Sequence, residues 1–261
     1  MDDEEVAAWR RAAETMTLPY DARLGVLQQS QGSTERERWD FASTPPEAYP
    51  LFMHHHYLEI YRRQVVKQAD LVMAMFTCPE AFTDEEKRRN FDYYEGVTVR
   101  DSSLSACVQA IVAAEVGHLE LAFDYFGEAA LMDLDDLEHN TRDGLHVASL
   151  AGSWLAAVSG FGGFRDHLGE FSFRPRLPPH LERLAFGLML RGRRLRVEIV
   201  PGEARYELVD GEPLELRHDD TPFTLERGSP QAHPWRAPDA GDPPLQPPHR
   251  APIRRRPRGS G

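Results

Sequence analysis

The hydrophobic pattern of this 261-residue chain changes period once, near residue 168, and that switch constrains the fold more than any single motif. Upstream, apolar residues recur every three or four positions, as on a helix; over about 170–227 they alternate, as on a strand. A chain patterned this way folds as a helical layer followed by a β-rich unit, because an alternating α/β sheet would interleave the two periods. Helices are expected over residues 3–16, 57–76, 84–94, 103–116, 119–131 and 144–159. The stretch SLSACVQAIVAAEV (103–116) is apolar almost all round, so other elements must cover it on both sides. Downstream, the runs FSFRPRLP, LAFGLMLRG, RRLRVEIV, ARYELVDG and EPLELRH predict a small antiparallel β-sandwich, with Asp210-Gly211 as a hairpin turn. Residues 228–261 hold nine prolines and six arginines against two aspartates, which predicts a disordered tail.

Composition removes several function classes. With 42 acidic and 30 basic residues the net charge is −12, the wrong sign for a nucleic-acid partner, which needs a basic face. Two cysteines, Cys78 and Cys107, exclude a disulfide framework and a Cys-rich zinc site. No apolar run reaches the roughly 18–20 residues of a membrane span. The first residues, MDDEEVAAWRR, lack the basic-then-apolar order of a signal peptide, so a cytoplasmic setting is expected. No HExxH, P-loop, Gly-x-Ser-x-Gly elbow or Cys-x-x-Cys occurs.

Three places could carry chemistry. Lys67 and Gln68 fall on apolar stripes of the 57–76 helix, where burying them is costly unless each finds partners. Lys67 could pair with Asp70 along the helix, a structural role, or both residues could line a cavity and donate to sugar hydroxyls or phosphate. Asp101-Ser102-Ser103 precedes the apolar helix and reads either as an N-cap or as an anion cradle of free N–H groups, dipole and hydroxyls. His146 would fall in the first turn of the 144–159 helix, either as a buried hydrogen-bonded histidine or beside an anion. His54-His55-His56 is no metal site, because consecutive side chains diverge on either a strand or a helix.

Taken together, these residues resemble glycoside hydrolase family 65, the phosphorylases and related hydrolases acting on trehalose, maltose, kojibiose or nigerose. The words that carry the resemblance are WDF (39–41), PLFMHHHYLEIYRRQVVKQADLVMAMF (50–76), RRNFDYYEGVTVRDSSLS (88–105) and MDLDDLEHNTRDGLHVASLAGSW (132–154). GEFSFRPRLPPHLERLAFGLMLRGRRLRVEI (169–199) is similar to the family's C-terminal β-domain. The resemblance runs in order over about residues 5–227. It implies a mainly α chain with a β C-terminal domain: residues 1–168 as the C-terminal half of an (α/α)6 catalytic barrel, 169–227 as a β-sandwich, and 228–261 as the tail.

By the same resemblance, Lys67 and Gln68 match the pair near the glucosyl subsite, and Ser102, Ser103 and His146 match the phosphate-binding group. No cofactor or metal is implied; inorganic phosphate is a co-substrate beside the disaccharide, and the complete enzyme is a homodimer. Phosphorylases of this type protonate the leaving oxygen with one carboxylic acid while phosphate attacks the opposite face of the sugar. That acid is a glutamate in a Gly-Pro-Asp-Glu segment, and no GPDE occurs in this sequence. Glu95 lies in a matching word without matching the acid. The N-terminal half of the enzyme, in cis or as a separate chain, is therefore an expected partner, and the chain alone is expected to be inactive. The contrasting expectation is a non-catalytic remnant or interaction module with residual sugar or phosphate binding. A half barrel would leave inner helix faces open and prone to association.

Overall fold

Residues 2–255 are described by the computed structural model. Helix α1 (Asp3–Thr15) starts after Asp2, whose carboxylate accepts the Glu5 N–H at 2.8 Å, and Asp3, Glu4 and Glu5 meet the positive end of its dipole. Two short strand pairs follow: β1 (Tyr20–Asp21) with β2 (Val26–Leu27), and β3 (Glu37–Arg38) with β4 (Arg63–Gln64), the second pair parallel. Short helices α2 (Leu51–His54) and α3 (Tyr57–Tyr61) lie between β3 and β4.

The expected single helix over 57–76 is thus two helices, α3 and α4 (Asp70–Thr77), with extended chain between them. Tertiary pairing overrides the helical spacing. The Val66 N–H donates to the Val97 carbonyl at 2.8 Å, and the Val99 N–H donates to the Val66 carbonyl at 2.9 Å. Val65 and Val66 are β-branched and suit an extended backbone.

The remaining helices follow the sequence closely: α5 (Asp84–Glu95), α6 (Ser105–Val116), α7 (Leu119–Ala130) and α8 (Val147–Leu155), which runs on into a wide-turn segment, Ala156–Phe161. A capping box opens α5: the Thr83 hydroxyl accepts the Glu86 N–H, and the Glu86 carboxylate accepts the Thr83 N–H. Every residue of α6 except Glu115 is buried, as its all-round apolarity requires, with α4, α5, α7 and α8 around it.

Glycines set the helix directions. A Cβ on Gly152 would meet the Cys107 side chain at 2.6 Å, and one on Gly160 would lie 3.2 Å from the Ile111 Cα. These contacts advance the same way along both helices, so α6 and α8 run parallel. The parallel bridge between Val66 and Thr98 does the same for the segments entering α4 and α6. Helices α4, α6 and α8 therefore begin at one end of the layer, and α5 and α7 return between them.

The β-rich unit has strands β5 (Phe164–Arg165), β6 (Ser172–Phe173), β7 (Leu184–Leu190), β8 (Arg193–Val200), β9 (Glu203–Asp210), β10 (Leu214–His218), β11 (Thr221–Leu225) and β12 (Gln231–Pro234). They form two four-stranded sheets, in the orders β11-β10-β6-β5 and β12-β9-β8-β7. Alternate residues point inward, and Leu195, Val197, Ile199 and Tyr206 meet Phe173, Leu216 and Leu225 in one core.

Three expectations are corrected here. The first sheet is mixed, because β10 pairs with β6 in parallel. Asp210-Gly211 closes no hairpin; it passes the chain from β9 in one sheet to β10 in the other, with Gly211 at φ +106°. The Pro/Arg-rich stretch is not free from residue 228: β12 pairs with β9, and the Trp235 indole donates to the Val200 carbonyl at 2.9 Å. Farther on, Gln246 donates to Glu95 and Tyr125, and Arg250 donates to Val99 and Asp101. Proline needs no N–H partner, so side chains alone can hold such a segment on the body. Residues 256–261 of the expected tail lie outside the described residues. Among the described residues no helix is long and apolar enough to cross a membrane.

Candidate functional site

Each expected site residue sits just before, or at the start of, one of the parallel helices. Lys67 and Gln68 precede α4, Ser102 and Ser103 precede α6, and His146 caps α8. From the Cys107–Gly152 contact, at 1.5 Å per residue, Ser103 lies roughly 6 Å and His146 roughly 9 Å toward the same end. The fold thus brings three loops separated by tens of residues to one end of the helical layer.

Lys67 is exposed, with its ammonium 4.6 Å from the Phe52 ring centroid, a cation–π contact. It is not on a helical stripe, and Asp70 does not pair with it as a helical neighbour. Instead Asp70 accepts from the Gln68 amide at 2.7 Å and the Gln29 amide at 3.3 Å. Lys67 and Gln68 line a cavity of about 350 Å³ with Tyr61, Gln64 and Tyr93. Ser102, Ser103 and His146 are half-buried and lie outside that cavity.

Neither Ser102 nor Ser103 is a side-chain N-cap. Leu104 holds that position with no side-chain cap, and the Ser102 carbonyl accepts the Ser105 N–H at 3.1 Å. His146 is positioned by Asp133, whose carboxylate accepts the His146 backbone N–H at 3.0 Å and contacts Nδ1 at 2.6 Å. The three consecutive histidines have separate surroundings. His55 packs edge-on against Trp39, and His56 accepts the Leu58 N–H and stacks on Tyr57. Among the described residues no group of three or more His, Cys, Asp or Glu could hold a metal ion.

Two carboxylates at this end owe their character to burial, which the sequence does not show. Asp101 is buried, accepts the Leu51 N–H at 2.5 Å and pairs with Arg250 at 3.3 Å. Burial pushes its carboxyl up to about 6, against the opposing pull of Arg250, the Leu51 N–H and Lys67, while Glu138 adds to the rise. Lys67 and Glu138 therefore stand within electrostatic reach of the residue next to Ser102. Asp101 belongs to the Asp101-Ser102-Ser103 segment expected to be an N-cap or an anion cradle, whereas its partner Arg250, 149 residues away, gives no local signal. Glu95 is fully enclosed by Gln109, Tyr125 and Gln246 at 2.5, 2.7 and 2.9 Å, and burial pushes its carboxyl upward.

The Asp101 shift has a stability consequence. Between its ordinary value of 3.8 and about 6, the unfolded chain loses this proton before the folded chain does. The contribution is whole below that window and falls as pH rises through it. Asp101→Asn is expected to remove this part of the pH dependence. Urea unfolding at pH 4 and pH 7 checks it: the variant's stability, relative to the parent's, should be higher at pH 7 than at pH 4.

Comparisons with known proteins show the family of the chain. The glycosyl hydrolase family 65 central catalytic domain matches residues 1–155, and that family's C-terminal domain matches residues 164–225. An uncharacterized glycosyl hydrolase of Mycobacterium leprae is 53% identical over 256 residues, 97% of this chain and 32% of that protein. The α,α-trehalose phosphorylase of Thermoanaerobacter brockii is 42% identical over 228 residues, covering 87% of this chain and 30% of that enzyme. A solved structure assigned as a kojibiose phosphorylase from the human microbiome superposes with a TM-score of 0.82 at 26% identity, covering 92% of this chain and 35% of the other. The chain spans about a third of the length of the curated relatives it matches.

Proposed function

We propose a function for this chain as what it is, a member of glycosyl hydrolase family 65: it is the C-terminal part of an inverting phosphorylase of α-glucosidic disaccharides. The disaccharide is of the trehalose, maltose or kojibiose type, and the product is glucose 1-phosphate. The observation that carries this reading is the convergence of three loops at the N-terminal ends of the parallel helices α4, α6 and α8. Helix N-termini favour anions, and Ser102 and Ser103 place two hydroxyls at the start of α6. His146, fixed by Asp133 through one ring nitrogen, offers the other to the same end. Lys67 and Gln68 supply donors for the hydroxyls of the glucosyl unit.

In this reading the helices form part of an (α/α)6 barrel and the two sheets form the sandwich behind it. The rest of the barrel carries the general acid. Phe52, Met53, Tyr57, Val147 and Trp154 are each about half exposed or more, an apolar surface that the remaining helices would cover. Hydrolysis would need a second carboxylate to activate water. The carboxylate of Asp101, next to Ser102, is engaged by the Leu51 N–H and Arg250, which favours phosphate as the nucleophile. No cofactor takes part, and the enzyme works in the cytoplasm as a homodimer, without nucleic-acid or membrane partners.

The test is product analysis on the assembled protein that joins this chain to its acid-bearing part, given each disaccharide with and without inorganic phosphate. Glucose 1-phosphate should form only with phosphate present. Ser102→Ala/Ser103→Ala should raise the phosphate KM about tenfold or more, the worth of lost hydrogen bonds to a charged group, with little change in the disaccharide KM. Phosphate-independent release of free glucose would contradict the reading.

A further inference from the structure

Residues 236–255 leave the β-rich unit as a strap that runs along the helical layer from one end of α6 to the other. A Cβ on Gly117, at the C-terminal end of α6, would lie 2.8 Å from the Pro238 carbonyl oxygen. Farther along, Gln246 joins Glu95 of α5 to Tyr125 of α7, donating at 2.9 and 2.7 Å. Arg250 reaches the entry to α6, where its Nε donates to the Val99 carbonyl and its Nη2 to the Asp101 carboxylate at 3.3 Å. Pro247 and Pro252, on either side of Arg250, are buried, which proline permits because it carries no N–H to satisfy.

The Arg250–Asp101 pair is fixed from every side. One Asp101 oxygen accepts the Leu51 N–H at 2.5 Å and the other faces Arg250. The Arg250 guanidinium lies 4.8 Å from the Tyr49 ring centroid, a cation–π contact. Its carbonyl accepts from Arg100, whose own charge is met by Glu128 at 3.1 and 3.2 Å. Backbone conformation points to the same pair. Arg100 stands at φ +55° and His249 at φ +65°, each just ahead of one member of the pair. His249 sits in a turn closed by the Arg250 N–H on the Pro247 carbonyl at 3.0 Å. Left-handed backbone is unfavourable for residues with a Cβ and persists where the surroundings impose it.

Asp101 immediately precedes Ser102, so a carboxylate held through both oxygens pins the chain one residue ahead of the two hydroxyls. Without Arg250 the buried carboxylate would lose its one ion-pair partner among the described residues. Turning toward water would relieve that cost, and Ser102 would move with it. We propose that Arg250 is a positioning residue: acting through Asp101, it sets the place of the Ser102 and Ser103 hydroxyls, so that the C-terminal strap governs phosphate binding. This inference rests on the phosphorylase reading.

Phosphorolysis kinetics of the assembled protein test it on the parent, Arg250→Ala, Arg250→Gln, Asp101→Asn and Asp101→Asn/Arg250→Ala. Arg250→Ala and Arg250→Gln should each raise the phosphate KM about tenfold and change the disaccharide KM by less than about twofold. The double variant should bind phosphate no worse than the weaker single variant, because both substitutions break one link. Arg250→Gln keeps an N–H for Val99 and much of the side-chain volume, so it carries the test if alanine unfolds the strap. A parent-like phosphate KM in Arg250→Gln, an equal rise in both KM values, or effects that multiply in the double variant overturns the inference. In each of those cases glucose 1-phosphate formation by the parent leaves the phosphorylase reading standing. A parent that releases free glucose without phosphate overturns both.

Discussion

Replacing Glu115 by alanine is expected to cost about 3–5 kcal/mol of folding stability, the usual result of removing one member of a buried ion pair. Glu115 is the one residue of α6 that is not fully buried, and it sits between two cations at hydrogen-bonding distance. Burial pushes its carboxyl up, but Arg165 and Lys87 outweigh that and hold it below the ordinary carboxylate range. Alanine would leave two cations facing each other, with the Lys87 and Arg165 side chains only 5% and 13% exposed. The loss should reach both units, because Lys87 belongs to α5 and Arg165 to β5. Glu115→Gln keeps the volume and one acceptor and should cost less. Urea unfolding of the three proteins measures the difference, and an alanine variant within about 1 kcal/mol of the parent would show that the triad is not a stabilising joint. Because the folded carboxyl is held low, its stabilising share is present above the ordinary value of 4.5 and declines as the protein is acidified.

Much of the helical layer is legible in the sequence, for identifiable reasons. Helices α5, α6 and α7 carry their own signals: a capping box at Thr83, apolarity on every face of 105–116, and Gly117 ending α6 at φ +100°. The segment 57–76 defeats periodicity because Val66 satisfies its backbone N–H and carbonyl with residues 97 and 99 instead of within a helix. Helical spacing of apolar residues is also what an extended strand entering a helix can produce over eight residues. The placement of the C-terminal stretch was hidden for a different cause: Gln246 and Arg250 are held by Glu95, Val99 and Asp101, some 150 residues away.

The candidate site divides in the same way. Ser102-Ser103 and His146 could be located from local sequence, since each stands at the entry to a helix. Their common end could not, because it follows from Gly152 against Cys107 and Gly160 against Ile111, contacts between residues more than 40 positions apart. Helical spacing predicts Lys67 and Gln68 as buried polar residues on a helix, yet Lys67 is exposed and both lie in a bend ahead of α4.

The central claim is tested most directly by Lys67→Ala in the protein that joins this chain to the proposed acid-bearing part. Lys67 is exposed, so its removal should leave the fold intact while taking from the glucosyl unit its one charged donor of the Lys67-Gln68 pair. Losing a hydrogen bond from a charged group is worth about 1.5–3 kcal/mol, so kcat/KM for the disaccharide should fall about tenfold to a hundredfold, with the melting temperature unchanged. A folded variant that turns over the disaccharide as fast as the parent would contradict the placement of the sugar at the start of α4, and with it the site assembled from the three loops.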